Sequence, residues 1–265
     1  FFIILLNHSV VIICLSILVL WSNADAASSI KIGEINPLTG RFAKQGLETH
    51  QGVAAAVAEA NDTGGIEGRV LELISRDDQS LPDIAISRAE ELCGKKNVVA
   101  LTGGYVDSLV GPVSEVARKY KTPYLASASL QKELVMNKNP YFFRVSRLQG
   151  FVEPLCDVIT EQFQPDRLAI VHASTPGSTE LARDLEGCLN SRGTSVVLRE
   201  KFRPGTPDFT PLISKFSSMN VDVIVSGGFT PDHMLLVRQL KENRVSPKAY
   251  IGPFGIVAES GVEIP

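Results

Sequence analysis

The stretch IKIGEINPLTGRFAKQGLETHQGVAAAVAEANDTGGIEGRVLELISR, residues 30–76, holds one complete turn of the pattern that decides the fold. Residues 30–36 are a short apolar run rich in β-branched side chains, which predicts a strand. Residues 46–61 then take up helical periodicity: Val53, Ala54, Val57 and Ala58 make one apolar stripe, and Gly64-Gly65 follows as its stop. A second apolar run occupies 70–76. Strand, helix and strand in that order are the unit of a parallel sheet covered by helices.

Outward from this unit the alternation continues. Strands are predicted at 98–102 and 123–126, with helices at 82–95 and 109–120; Pro82 sits where a first-turn proline belongs. The series then repeats, with strands at 167–172, 195–201, 222–226 and 248–251 and helices at 150–163, 178–192, 209–219 and 232–243. Two successive sets predict an α/β protein of two lobes, each a flavodoxin- or Rossmann-like parallel sheet sandwiched by helices. Residues 140–150 read as an irregular connection and the natural hinge. Ligands of such sheets collect at the carboxyl ends of the strands, so a ligand cleft is expected between the lobes.

A composition of 44% hydrophobic and 21% charged residues excludes disorder and collagen-like structure. The net charge of −3, with Lys and Arg scattered singly, offers no basic stripe for a phosphate backbone, so nucleic acid is not an expected partner. The chain has no GxSxG elbow and no GxxxxGK loop, and Gly103-Gly104 before Tyr105 is too short of glycines for a dinucleotide fingerprint. Neither enzymatic activity nor a cofactor is expected. His50, His172 and His233 lack HxxxH spacing, which argues against a metal; His172, at a strand end, is the one expected to face the cleft. Asp77 and Asp78 read as loop caps for the following helix, and Phe42 and Phe143 as core packing.

Phe1 to Trp21 is nearly all apolar and leads to Ala24-Asp25-Ala26, a small-x-small pattern. Residues 1–26 are therefore expected to be a signal peptide cleaved after Ala26. The segment is also just long enough to span a bilayer, so a retained membrane anchor is the alternative. Either reading sends the lobes out of the cytoplasm. Cys14 follows the bulky Ile13, which argues against a lipid anchor. Phe1 is not an initiator Met and no basic region precedes the apolar run, so the sequence is expected to be a fragment. Cys93, Cys156 and Cys188 read first as small buried hydrophobes, with a Cys156–Cys188 bridge left open.

Six stretches carry a family resemblance: Ile32-Gly33 through Asn36-Pro37-Leu38-Thr39-Gly40, Gly64-Gly65-Ile66 with Gly68-Arg69, Arg76-Asp77-Asp78-Gln79-Ser80, Asn139-Pro140-Tyr141-Phe142-Phe143-Arg144, Pro204-Gly205-Thr206 with Asp208-Phe209, and Gly227-Gly228. In order and spacing the chain resembles the type I periplasmic binding proteins of branched-chain amino acid ABC transporters. The resemblance implies a solute-binding protein, monomeric at full length, that takes a small molecule between its lobes and passes it to a membrane permease; an extracellular sensor on a membrane anchor is the alternative. It also implies a missing C-terminal part, with lobe 1 at 27–146 plus 252–265 and lobe 2 at 147–251.

Carried position by position, the family's carboxylate-binding hydroxyls fall on Asp107 and Leu130, with Ser108 and Ser129 one place away. Its pocket tyrosines fall on Gln45, Gly177 and Phe229, and its ammonium-binding acid on Phe254. The expected ligand site is Gln45, Tyr105, Asp107, Ser108, Ala128, Ser129, Gly177, Phe229 and Phe254. The departures at Asp107, Leu130 and Phe254 imply weak binding of branched-chain amino acids and favour an aromatic or largely apolar ligand, with an amide or cation facing Asp107.

Overall fold

A computed structural model describes residues 28–253. The expected signal peptide and Phe254 lie outside the described residues. Strands β1 (Ile30–Asn36), β2 (Leu71–Asp77), β3 (Ala100–Tyr105), β4 (Tyr124–Ala128) and β5 (Phe142–Arg144) form one wholly parallel sheet in the order β2-β1-β3-β4-β5. Strands β6 (Leu168–Ala173), β7 (Val196–Phe202), β8 (Val223–Gly227) and β9 (Ala249–Ile251) form a second, in the order β7-β6-β8-β9. Helices α1 (Ala43–Asp62), α2 (Pro82–Glu90), α3 (Asp107–Tyr120) and α4 (Lys132–Met136) belong to the first lobe. The second has α5 (Gln149–Val158), α6 (Pro176–Ser191), α7 (Thr210–Ser218) and α8 (Thr230–Glu242). Each sheet reverses its strand order once, between β1 and β3 and between β6 and β8, and such switch points open crevices at the carboxyl ends.

Each lobe has its own apolar core. In the first, Ile35, Leu92, Leu101, Val113 and Tyr124 pack together; in the second, Ile159, Leu168, Leu185 and Val223 do so beneath a Cys156–Cys188 disulfide. The bridge ties α5 to α6, and the cysteine reading that left it open resolves in its favour; Cys93 is free and buried. A third cluster spans both lobes. It joins Phe42, Val106 and Leu109 of the first to Phe202, Phe209, Phe216 and Phe229 of the second.

Some expectations change. Residues 142–144, read as part of an irregular connection, are strand β5, and the short helix α4 was not expected at all. Phe143 is not core: it is 53% exposed on the edge strand, while Phe142 beside it points inward at 6%. Strand alternation sends neighbours to opposite faces, which a reading of this segment as loop does not anticipate. The stripe on α1 is shallow, with Val53, Ala54 and Val57 only half-buried and Ala58 exposed. The Asp pair holds the loops before α2 but does not cap that helix, whose N-cap residue Leu81 carries no side-chain cap bond. Asp77 accepts hydrogen bonds from Leu38 N, Thr39 N, Thr39 Oγ1 and Gln79 N, and Asp78 accepts one from Ser80 N. Burial pushes the Asp78 carboxyl up to about 6, against the pull of the Ser80 N–H.

Candidate functional site

Strand β3 carries Gly103 and Gly104, both at positive φ, near its end, and the chain enters α3 through Val106. A Cβ on Gly104 would lie 2.2 Å from the Tyr124 hydroxyl, so only glycine fits this turn. Val106 itself has φ +64°, a strained conformation for a β-branched residue, of the kind that persists where the surroundings impose it. The outcome is that Tyr105, Val106 and Asp107 are presented at the carboxyl end of the first sheet. Residues 127–130, at the end of β4 and just beyond it, stand beside them. From the second lobe come Thr175, Gly177 and Ser178 at the start of α6, Phe229 just before α8, and Phe151.

These segments enclose a cavity of about 250 Å³ between the lobes, a small volume for a ligand site. Apolar groups dominate its wall, with Tyr105, Leu130, Phe151 and Phe229 contributing the large surfaces. Tyr105, Phe42 and Phe229 form a three-ring cluster with edge-on contacts, centroids 5.1 to 6.3 Å apart, which carries the aromatic wall from one lobe to the other. Burial pushes the Tyr105 hydroxyl up to about 12, with the charge of Glu48 adding, so it remains a donor at any physiological pH. Hydroxyls of Ser127, Ser146, Thr175 and Ser178 supply the polar part; Thr175 Oγ1 donates to Ser178 Oγ at 2.9 Å and Ser146 Oγ to the Ser129 carbonyl at 3.1 Å.

Asp107 is the one charged side chain in the described lining. The sequence sets an amide or cation of the ligand against Asp107; the protein itself surrounds that side chain with donors. Its Oδ1 accepts from Ser129 Oγ (2.8 Å), Leu130 N (2.9 Å) and Gln131 N (2.8 Å), and its Oδ2 from Gly177 N (3.0 Å). The last bond crosses between lobes. Behind the same loop, Arg144 donates to the carbonyls of Ser129 and Gln131. Burial lowers the Arg144 pKa, and the charges of Asp107 and Glu180 counter that shift.

Further polar links hold the lobes together around the cavity. On one side Arg41 Nη2 donates to Asp232 Oδ1 at 2.9 Å and Gln45 Nε2 to Thr230 Oγ1 at 3.3 Å. The Asp232 side chain is 2% exposed and also accepts from Gly205 N and Phe229 N. On the other side Lys132 pairs with Asp184 through its ammonium and donates its backbone N–H to Glu180.

Of the residues expected at the site, Tyr105, Asp107, Ala128, Ser129, Gly177 and Phe229 line the cavity. Gln45 lies outside it as an interlobe contact, and Ser108 is exposed one helical step past Asp107. His172 does not line the cavity: its Nδ1 is bonded to the Ala173 carbonyl, and burial lowers its pKa. Phe151, Thr175 and Ser178 were not foreseen, although Pro176 marks a helix start whose preceding Thr175 was available as a signal. No cluster of metal-ligating side chains occurs among the described residues.

Two parallel sheets facing one another across a shared, mostly apolar cavity define a two-lobed binding protein. The family model described as periplasmic binding protein matches residues 29–261, and the chain belongs to that family. Leu/Ile/Val-binding protein homolog 2 of Brucella abortus (strain 2308) is 30% identical over 249 residues, which cover 93% of this chain and 66% of that protein. The chain thus spans just under two thirds of the length of this relative. Among solved structures, the branched-chain amino acid transporter substrate binding protein of Streptococcus pneumoniae, in complex with isoleucine, superposes with a TM-score of 0.77 at 21% identity, over 84% of this chain and 64% of that one. A solute binding protein of an R. palustris ABC transporter, in complex with 4-hydroxybenzoate, gives 0.74 at 23%, over 81% and 58%. These likenesses show the same fold.

Proposed function

We propose that this chain is the extracytoplasmic solute-binding component of an ABC transporter, which encloses one small, largely apolar or aromatic molecule between its lobes and delivers it to a membrane permease. The observation that carries this reading is the interlobe cavity, walled by Tyr105 and Ala128 from one lobe and Phe151 and Phe229 from the other. A ligand touching both walls favours the closed form by its differential affinity, and closure is the signal a permease can read. The aromatic wall suits a single ring. The R. palustris relative in fold holds 4-hydroxybenzoate, and the Streptococcus pneumoniae one isoleucine.

The disulfide supports a location outside the reducing cytoplasm. The lobes are assigned to 27–146 with 252–265, of which 27 and 254–265 lie outside the described residues, and to 147–251, and Tyr105, Asp107, Ala128, Ser129, Gly177 and Phe229 are the proposed ligand contacts within them. A thermal-shift screen of the complete, mature protein against amino acids, amides and aromatic compounds, followed by calorimetry, tests the reading. Reversible one-to-one binding without turnover supports it. Chemical conversion of a bound compound, or loss of no affinity on Phe229→Ala, contradicts it.

A further inference from the structure

The cavity holds donors suited to a carboxylate, yet a side chain of the protein already occupies them. Ser129 Oγ, Leu130 N, Gln131 N and Gly177 N all converge on Asp107, from two lobes and at 2.8 to 3.0 Å. An ionised carboxyl accepts hydrogen bonds and donates none, so a site made only of N–H and O–H donors is matched to that group. Nothing cationic stands in the described lining to receive a second one. Arg144 is turned to the carbonyls of the loop behind.

Two further features are fitted to this arrangement. A Cβ at Gly177 would stand 2.2 Å from Asp107 Oδ2 and 3.0 Å from Leu130 Cβ, so any larger residue there would expel the carboxylate or its neighbours. The strained backbone at Val106 comes immediately before Asp107 and aims it across the cleft. Asp107 is 7% exposed, and a buried carboxylate held by several donors is costly to dislodge.

We propose that Asp107 is a resident carboxylate: it permanently takes the donors that would grip an acidic ligand, bridges the lobes itself through Gly177 N, and so restricts the cavity to ligands that bring no carboxylate to that end. The inference rests on the reading of the cavity as a ligand site and narrows its ligand class to uncharged, mainly apolar molecules carrying hydroxyl or amide groups. An entering acid must either displace four hydrogen bonds or lie beside a like charge in a water-poor space, and both disfavour it.

The test uses the full-length protein with two probes of equal shape, 4-hydroxybenzamide and 4-hydroxybenzoate, titrated by calorimetry into the unmodified protein, Asp107→Ser and Gly177→Ala. The amide is expected to bind the unmodified protein at least tenfold more tightly than the acid. Asp107→Ser is expected to shift that ratio toward the acid by tenfold or more. A ligand-free readout accompanies it: distances between spin labels at the exposed Lys121 and Lys201, one on each lobe, are expected to broaden to longer values in both variants. Equal or tighter binding of the acid by the unmodified protein, or a ratio unmoved by Asp107→Ser, overturns the proposal. Unchanged distances in both variants overturn the bridge whether or not either probe binds. Absence of binding in all three proteins, with the distances broadened as expected, supports the bridge and counts instead against the ligand-site reading.

Discussion

Removing the Cys156–Cys188 bridge is the perturbation whose size follows most directly from the chain. The two cysteines are 32 residues apart, and a cross-link closing a loop of that length restricts the unfolded chain by about 3.7 kcal/mol on the chain-entropy relation. Measured values often fall short of it, so a loss of about 2 to 4 kcal/mol is expected for Cys156→Ala/Cys188→Ala, or for the reduced protein. Cys156 is fully buried against Ile159 and Leu185, so truncation there adds a small packing loss that reduction alone does not. Urea unfolding followed by fluorescence and circular dichroism measures the difference, with Cys93→Ala as a control that removes a cysteine and no cross-link. Two alkylatable thiols at Cys156 and Cys188 in protein isolated from an oxidising compartment, or a change below about 1 kcal/mol in the double variant, refutes the reasoning.

Other outcomes follow from the geometry. The folded pKa of Asp78, about 6, exceeds its unfolded value, so the native state holds the proton more tightly and stability falls as pH rises from about 4 to about 6, by at most about 3 kcal/mol; Asp78→Asn should flatten that part of the stability–pH curve. Arg41→Ala leaves Asp232 its two backbone donors and removes the interlobe bond, so affinity for any ligand of the closed form should drop five- to thirtyfold, on the order of 1 to 2 kcal/mol, with little change in melting temperature. Phe143→Lys places a charge on the exposed edge strand beside Val145, which is 69% exposed, and should reduce self-association of the 265-residue chain in sedimentation experiments. Burial raises the Cys93 thiol, so Cys93 should resist thiol reagents in the native protein and react on unfolding.

The strand–helix alternation was legible in the sequence because buried parallel strands are apolar runs and their covering helices carry the 3.6-residue period. Strand β5 was not, since three residues cannot show a period and its pairing with β4 is fixed by tertiary context. The same loss of signal misplaced Phe143. At the site, strand ends pointed to where such sheets bind ligands, but the particular loops after β3 and β4, and Asp107 within them, came from the family resemblance carried position by position. That Ser129, Leu130, Gln131 and Gly177 all bond to it was not legible. The Gly177 N–H, 70 residues away, reaches Asp107 only once the lobes meet, and a backbone donor leaves no trace in the residue identity beyond the glycine itself. The Arg41–Asp232 pair is hidden in the same way, 191 residues apart.

The central claim is that one small molecule lies between the lobes, touching both. A crystal structure of the complete protein with a ligand found by screening tests this most directly. The account predicts a single uncharged or mainly apolar molecule in contact with Tyr105 and Ala128 on one side and Phe151 and Phe229 on the other, with Asp107 still bonded to Leu130 N and Gly177 N. A ligand seated outside this cavity, or one whose carboxylate has displaced Asp107 from those donors, would contradict it.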